Sequence, residues 1–326
     1  MPPRFPVHLL VIADSNSPFF PDLAGMDPRV RVTISRDPEA IKAAAPQADI
    51  VLYAIMNHPG MLAAALQFAT RARWIHSLWT GVEGILGPEM LAHPAPLTNG
   101  RGVFRWPLAD WVTATMLHFA FDLGRVIRQQ QEGIWQGFVS TSLQRRTLGI
   151  VGYGEIGSAA AARAKAFGMQ VAALRRRREL FNDDGLVDEF FQAAKLKAML
   201  AVSDYVLLAL PLTSETRGML GEAEIAAIKP TSVLINVGRG PVIDEAALIR
   251  ALSSGALRGA ALDVFAVEPL PAGHPFWTMP NVMLSPHTAD RVEGFLEPAV
   301  ECFMENLKRF LSGVPLLNIV DKHAGY

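Results

Sequence analysis

The run Gly152-Tyr153-Gly154-Glu155-Ile156-Gly157 joins three glycines at a spacing that can hold a phosphate group. It lies between an apolar run at residues 148–151, which reads as a buried strand, and an alanine-rich stretch at residues 158–167, which reads as a helix. In that setting Gly152 permits a tight turn, Gly154 lets the backbone approach a pyrophosphate, and Gly157 lets helix and strand pack closely. The helix start adds unpaired N–H groups and the positive end of its dipole. The alternative is a plain strand–helix turn of an α/β protein. A second apolar run, residues 169–174, leads into four arginines, Arg175 to Arg178. A unit that recognises a ribose 2′-hydroxyl carries an acid about 20 residues beyond its glycines. Arginine at that place suits a 2′-phosphate instead, through paired, charge-assisted hydrogen bonds. The segment therefore predicts a dinucleotide site with NADP preferred and NAD possible; the alternative for the arginines is a solvated basic turn.

Hydride transfer to a carbonyl needs a group that holds and polarises the substrate and a group that supplies a proton. Three later runs offer such groups: Asn236-Val237-Gly238-Arg239-Gly240, then Asp263-Val264-Phe265 with Glu268-Pro269-Leu270-Pro271, then Ser285-Pro286-His287-Thr288-Ala289. Each follows a strand-like segment, and open α/β sheets bind ligands at the carboxyl ends of their strands.

The elements that must position these residues follow from hydrophobic pattern. Strand-like runs lie at residues 7–13, 30–34, 50–55 and 74–78, with a helical pattern at 61–70, so the first hundred residues predict a small α/β domain. His93-Pro94-Ala95-Pro96 and Asn99-Gly100-Arg101-Gly102 read as loop near its end. Residues 108–126 predict one helix, apolar on nearly every side, buried between domains or subunits. Further strands are expected at 205–210, 233–237, 260–264 and 282–284, a helix at 292–311 crossing back to the first domain, and a short strand near 314–320.

A chain of 326 residues, half of them hydrophobic, is long enough for two cores. Net charge is −1, which disfavours nucleic acid as a partner. Cys302 is the sole cysteine, so no disulfide can form within the chain. The run at residues 7–13 is too short to span a membrane and lacks signal-peptide architecture. A soluble cytoplasmic protein, with no membrane partner and no metal site, is the expectation.

Taken together, the glycine run, Leu210-Pro211-Leu212-Thr213 with Thr216, residues 236–240 with Val242-Ile243-Asp244, residues 263–271, and His287 after Ser285-Pro286 resemble the D-isomer-specific 2-hydroxyacid dehydrogenase family. The resemblance is strong over residues 144–289 and looser over the first hundred. It implies an α/β fold: a doubly wound parallel sheet of Rossmann type binding the cofactor (residues 105–289), and a smaller flavodoxin-like α/β substrate domain (residues 1–104 plus 290–326). It implies a homodimer acting on a small 2-oxo acid such as glyoxylate or hydroxypyruvate, as glyoxylate/hydroxypyruvate reductases do.

Roles follow from the same resemblance. Arg239 would clasp the substrate's carboxylate and carbonyl oxygen, His287 would exchange the proton, and Glu268 would hold the imidazole's other nitrogen. Cofactor contacts fall to Gly152, Gly154, Glu155, Ile156, Gly157, Arg175, Arg176, Leu210, Pro211, Thr216, Val237, Gly238, Asp263 and His287, with Asp263 facing the nicotinamide end. Substrate contacts fall to Met56, Gly81 and Val82 besides Arg239. The other seven histidines are read as structural or solvated. Two departures stand out: Glu83 and Gly84 replace the family's usual Asp and Asn or His, and Asp290-Arg291 follow the His287 loop where small residues are usual. Arg291 pairs with Asp290 or Glu293 on one reading and reaches a substrate anion on another. Two other readings of the whole remain at this point: a nucleotide-sensing protein resembling transcriptional corepressors, and an enzyme for a bulkier or phosphorylated 2-oxo acid with Arg291 or Arg105 as anion anchor.

Overall fold

The computed structural model describes residues 6–14, 27–55, 58–175 and 184–326. The chain divides into two compact units, one of Met1–Phe104 with Glu293–Tyr326, the other of Arg105–Val292. Residues 290–292 group with the second unit.

In the first unit, β1 (Val7–Ile12), β2 (Val30–Ser35), β3 (Ile50–Tyr53), β4 (Trp74–Ser77) and β5 (Leu97–Asn99) form a parallel sheet in the order 2-1-3-4-5, the flavodoxin-like order. Every residue of β3 and β4 is buried, as a parallel sheet covered on both faces requires. Helices α1 (Pro38–Ala44), α2 (Pro59–Leu66) and α3 (Pro88–Ala92) each begin with proline, which lacks the N–H that a first turn leaves unpaired.

The second unit opens with α4 (Arg105–Phe121) and α5 (Leu123–Glu132). Its sheet takes β6 (Thr147–Val151), β7 (Gln170–Leu174), β8 (Glu189–Phe191), β9 (Tyr205–Leu208), β10 (Val233–Asn236), β11 (Gly259–Leu262) and β12 (Val282–Leu284) in the order 12-11-10-9-6-7-8, parallel throughout. Read from β8, this is the doubly wound dinucleotide-binding order with one strand added at its far edge. Helix α6 (Glu155–Ala166) follows β6, and α7 (Leu196–Val202), α8 (Glu222–Ile225) and α9 (Glu245–Ser253) fall between later strands. The α/β fold expected from the sequence is the fold observed.

Register fixes the functional edge. Leu174, Val151, Leu208, Asn236, Leu262 and Leu284 are neighbours in one row across six adjacent strands. The chain leaves the sheet just beyond that row, so Arg175, Gly152, Val237, Asp263 and Ser285 emerge side by side at one edge.

Three expectations are corrected. The helix over residues 108–126 is two helices, because Asp122 takes a left-handed conformation (φ 47°) and caps α5 through its own carboxylate. The buried positions of α4, among them Val112, Met116 and Phe119, serve the second unit itself, where α4 packs on α6 and β10. Phe121, at its end, is 48% exposed. Residues 314–320 form no strand; Ile319 makes a single antiparallel bridge to Thr98.

The last helix, α10 (Glu297–Ser312), starts later than expected but does pack on the first sheet. Trp74 stacks on Phe303 at 5.2 Å and on Phe310 at 5.7 Å between ring centres, and its indole N–H donates to Thr98 Oγ1 at 2.7 Å. Trp74 and Phe303 are fully buried. Replacing Phe303 with Ala should destabilise the protein by about 3–5 kcal/mol, read by thermal or denaturant unfolding, because buried apolar surface is lost and the surroundings close only partly on the cavity.

Candidate active site

The β6–α6 turn is a backbone construction. Gly152 has φ +99°, and a Cβ there would meet Ala209 O at 2.6 Å, so the loop after β9 crosses where only glycine fits. A Cβ on Gly157 would meet Gly152 O at 2.7 Å. Gly154 differs, since a Cβ built on it meets nothing within 4 Å. Gly154 precedes the first residue of α6 and offers that helix no side-chain cap. Open space above uncapped N–H groups, with Ile156 in the first turn, is what a pyrophosphate needs, so these residues fit a dinucleotide.

Arg175 lies directly after β7, half-buried, at the edge where Gly152 emerges. Arg176 lies outside the described residues. After β9, Thr216 staples the loop: its hydroxyl donates to Pro211 O at 2.7 Å and accepts from Thr213 N at 2.8 Å, while Leu210 is buried beneath. After β10, the buried Asn236 does the same for Val237, Gly238 and Arg239. Its Oδ1 accepts from Gly238 N at 3.0 Å and its Nδ2 donates to Arg239 O at 3.1 Å. Arg239 is half-buried, and its Nη1 donates to Gly238 O at 2.8 Å. Gly240 lies so close to the Phe265 backbone that no side chain fits between them.

Asp263 is 2% exposed, at the carboxyl end of β11 where the sequence put it, and makes bonds that the sequence did not reveal. Rather than being left wholly for a ligand, its Oδ1 gathers the next loop, accepting from Ser285 Oγ at 2.7 Å, Thr288 N at 2.9 Å and Ala289 N at 3.1 Å. Its backbone carbonyl accepts from His287 N at 2.9 Å. These bonds hold His287 in a left-handed conformation (φ 53°), uncommon for a residue with a side chain. Glu268 completes the arrangement: Oε1 accepts from Phe265 N at 2.9 Å and Oε2 meets His287 Nδ1 at 2.7 Å. With Nδ1 so engaged, Nε2 is the nitrogen left to face a ligand.

The electrostatics agree with the geometry. The Glu268 hydrogen bond raises the His287 imidazole above its ordinary 6.5, against burial and the Arg239 charge, which lower it. Burial would raise the Glu268 carboxyl, but the bonds from His287 and the Phe265 N–H outweigh it and hold the group below 4.5. Asp290, nearby, is raised by burial and by the Asp263 charge. Arg291 is exposed, on a turn closed by its N–H to Thr288 O at 2.9 Å. His76, by contrast, is fully buried in the first unit, and burial alone drops it to about 3, so it stays neutral.

In the first unit, Gly81 and Val82 follow β4 at the carboxyl edge of that sheet. The bonds that fix this loop use Thr80, whose hydroxyl donates to Gly100 O at 2.9 Å, and the Val82 carbonyl, which accepts from Ile85 N at 2.9 Å. They leave the Gly81 and Val82 amides out. Met56 and Asn57 lie outside the described residues. Among the described residues there is no cluster of side chains able to hold a metal ion, and no helix long and apolar enough to cross a membrane.

A parallel sheet of dinucleotide-binding order, carrying a histidine–carboxylate pair and an arginine on one edge, defines a nicotinamide-dependent oxidoreductase. Residues 113–289 match the D-isomer specific 2-hydroxyacid dehydrogenase NAD-binding domain. The chain is 34% identical over 265 residues to glyoxylate/hydroxypyruvate reductase B of Serratia proteamaculans, covering 79% of this chain and 80% of that one. A D-isomer specific 2-hydroxyacid dehydrogenase family protein from Aeromonas salmonicida superposes with a TM-score of 0.85 at 31% identity, over 97% of this chain and 99% of that one. The D-isomer specific 2-hydroxyacid dehydrogenase of Xanthobacter autotrophicus, solved with NADPH and MES, superposes at 0.82 with 30% identity, over 99% and 100%. The chain belongs to the D-isomer specific 2-hydroxyacid dehydrogenase family. It is an NAD(P)-dependent dehydrogenase.

The pKa shifts fix a pH dependence. The imidazolium's stabilising contribution is complete below pH 6.5 and is lost as pH rises through the raised value; the carboxylate's is complete above pH 4.5 and is lost as pH falls through the lowered one. Between those limits both contributions are present. Glu268→Gln removes the hydrogen bond and charge that raise His287 most and leaves burial and Arg239, which lower it, against Asp263 alone, which raises it. The His287 midpoint, followed by NMR, should then fall; a midpoint that does not move would show that Glu268 is not the cause.

Proposed function

We propose that this enzyme reduces small 2-oxo acids of the glyoxylate and hydroxypyruvate type, with NADP(H) preferred over NAD(H). The observation that carries the reading is the 2.7 Å bond between His287 Nδ1 and Glu268, on the edge from which Arg239 also projects. The cofactor, when bound, supplies the hydride. His287 holds a proton at Nε2 for the carbonyl oxygen in reduction and receives it in oxidation, and the Glu268 hydrogen bond raises its affinity for that proton. Arg239 presents a planar set of donors to the substrate carboxylate and the carbonyl oxygen. Asn236 and the Gly238 carbonyl hold that arginine in place. The amides of Gly81 and Val82, with Met56, are the proposed substrate contacts in the first unit.

For the cofactor, the Gly152–Gly157 turn takes the pyrophosphate, the loops at Leu210, Pro211, Thr216, Val237 and Gly238 line the sheet edge beside it, and Asp263 stands toward the nicotinamide. Arg175 and Arg176 are assigned to the 2′-phosphate. The names of relatives favour this reading: the Serratia protein is a glyoxylate/hydroxypyruvate reductase and the Xanthobacter structure holds NADPH.

The exposed apolar side chains of Leu123, Val126 and Ile127 on α5, with Ile134, Trp135 and Val139 just beyond, support a homodimer in which a second copy covers them. Light scattering at micromolar concentration should give twice the chain mass, and a monomer would remove the proposal.

A matrix of NADH and NADPH against glyoxylate, hydroxypyruvate and bulkier 2-oxo acids tests class and preference together. The small acids with NADPH should give the highest kcat/KM. His287→Ala should lower kcat by about a hundredfold or more while cofactor still binds. Arg175→Ala should weaken NADPH and spare NADH; equal effects on both would reduce Arg175 to a solvated turn.

A further inference from the structure

The Gly152–Gly157 turn carries an acid where an anion is to land. Glu155 is the first residue of α6. In the free protein a carboxylate there is favourable, because it faces the positive end of the helix dipole. A pyrophosphate on the same turn competes for that end and for the same N–H groups, so Glu155 opposes it unless its charge is drawn aside. Arg105, the first residue of α4, does this: its Nη1 meets Glu155 Oε2 at 2.8 Å. The other guanidinium donors of Arg105 make no bond among the described residues. Arg105 also lies 5.4 Å from the Trp106 ring centre, and Arg163, on α6 itself and paired to Asp110 at 2.7 Å, lies 4.8 Å from the same ring. The indole thus meets two guanidinium groups, and the contact with it restrains Arg105 near the start of α6. Both partners in the Arg105–Glu155 pair are more than two-fifths exposed, so the bond adds little to folding and its place calls for another reason.

We propose that Arg105 is a pyrophosphate-positioning residue of the cofactor site, steered by Glu155. The carboxylate orients the guanidinium over the helix start, and the guanidinium neutralises the carboxylate and offers its remaining donors to the pyrophosphate oxygens. NADH and NADPH share that group, so Arg105 serves both equally. The Arg175 assignment predicts the opposite, a difference between the two. The inference rests on the proposed seating of the cofactor on the Gly152–Gly157 turn.

The test measures dissociation constants for NADH and NADPH by nucleotide fluorescence, with unfolding midpoints of the cofactor-free proteins alongside. Arg105→Ala should weaken both cofactors by about tenfold, as loss of a charged hydrogen bond does, with little change in the midpoint. Arg105→Ala combined with Glu155→Gln should bind both more tightly than Arg105→Ala alone, because the uncompensated carboxylate is gone. Unchanged affinity in Arg105→Ala, or a double variant no tighter than the single, overturns the proposal. Gly154→Val separates this from the seating itself. Gly154 has extended backbone and empty space beyond its Cα, so valine should leave the free protein folded while filling the space for pyrophosphate. Loss of both cofactors in Gly154→Val with normal binding in Arg105→Ala removes Arg105 alone. Normal binding in Gly154→Val removes the seating, and Arg105 with it.

Discussion

The Asp263 carboxylate is the constraint from which the rest of the site follows. A charge that is 2% exposed is costly unless its oxygens are occupied, and here one oxygen accepts three donors from the loop after β12. That demand dictates the path of the chain. Ser285, Thr288 and Ala289 must converge on one atom, and the chain between them bends through a left-handed His287 to do so. The histidine is therefore aimed by a neighbour's need for hydrogen bonds, and its unfavourable backbone conformation is sustained by bonds made elsewhere. Asn236 repeats the logic one strand away, with a buried amide that has to be satisfied and can be only if Gly238 and Arg239 fold back on it.

These devices work because the strands end in register. A row of hydrogen-bonded neighbours from Leu174 to Leu284 places six loops at the same height, and close backbone approaches at Gly152 and Gly240 let neighbouring loops pass without side chains between them. Widely separated segments of sequence thereby become adjacent in space. The sheet contributes direction and height, the glycines contribute proximity, and the buried polar groups contribute orientation.

Much of this was legible in the sequence, for identifiable reasons. Strands of a doubly covered parallel sheet are continuous apolar runs, so β1, β4, β10 and β12 stand out within a residue or two of their bounds. The glycine turn announces itself because close packing restricts Gly152 and Gly157 to one residue type. Shorter or less apolar elements did not stand out. Strand β5 is three residues inside a stretch rich in turn formers, and β8, Glu189–Phe191, begins with a charged, exposed residue. The break at Asp122 depends on a left-handed turn that its apolar surroundings conceal. Residues 314–320 have the composition of a strand but find only one bridging partner. The loop bonds of Asp263 were hidden for a different reason: an acid at a strand end looks the same in sequence whether or not a later loop folds back on it. Only the position of three later donors decides.

The charged groups of the site are neither fully buried nor freely solvated, and this intermediate state suits their use. Were His287 and Glu268 entirely buried, desolvation would favour neutral forms and the imidazole would fall, as His76 does. Fully exposed, the pair would be screened by water and salt, and the carboxylate would have little hold on the imidazole. At about one-third exposure on each side, the 2.7 Å bond still prevails over burial, and the imidazole gains affinity for its proton. Arg239 pulls the other way, and in the proposed reaction it stays close in order to hold the same substrate. Glu268 therefore does more than fix a tautomer. It offsets the lowering that the Arg239 charge imposes on the imidazole, so the two cationic groups can lie on one edge with the imidazole still raised.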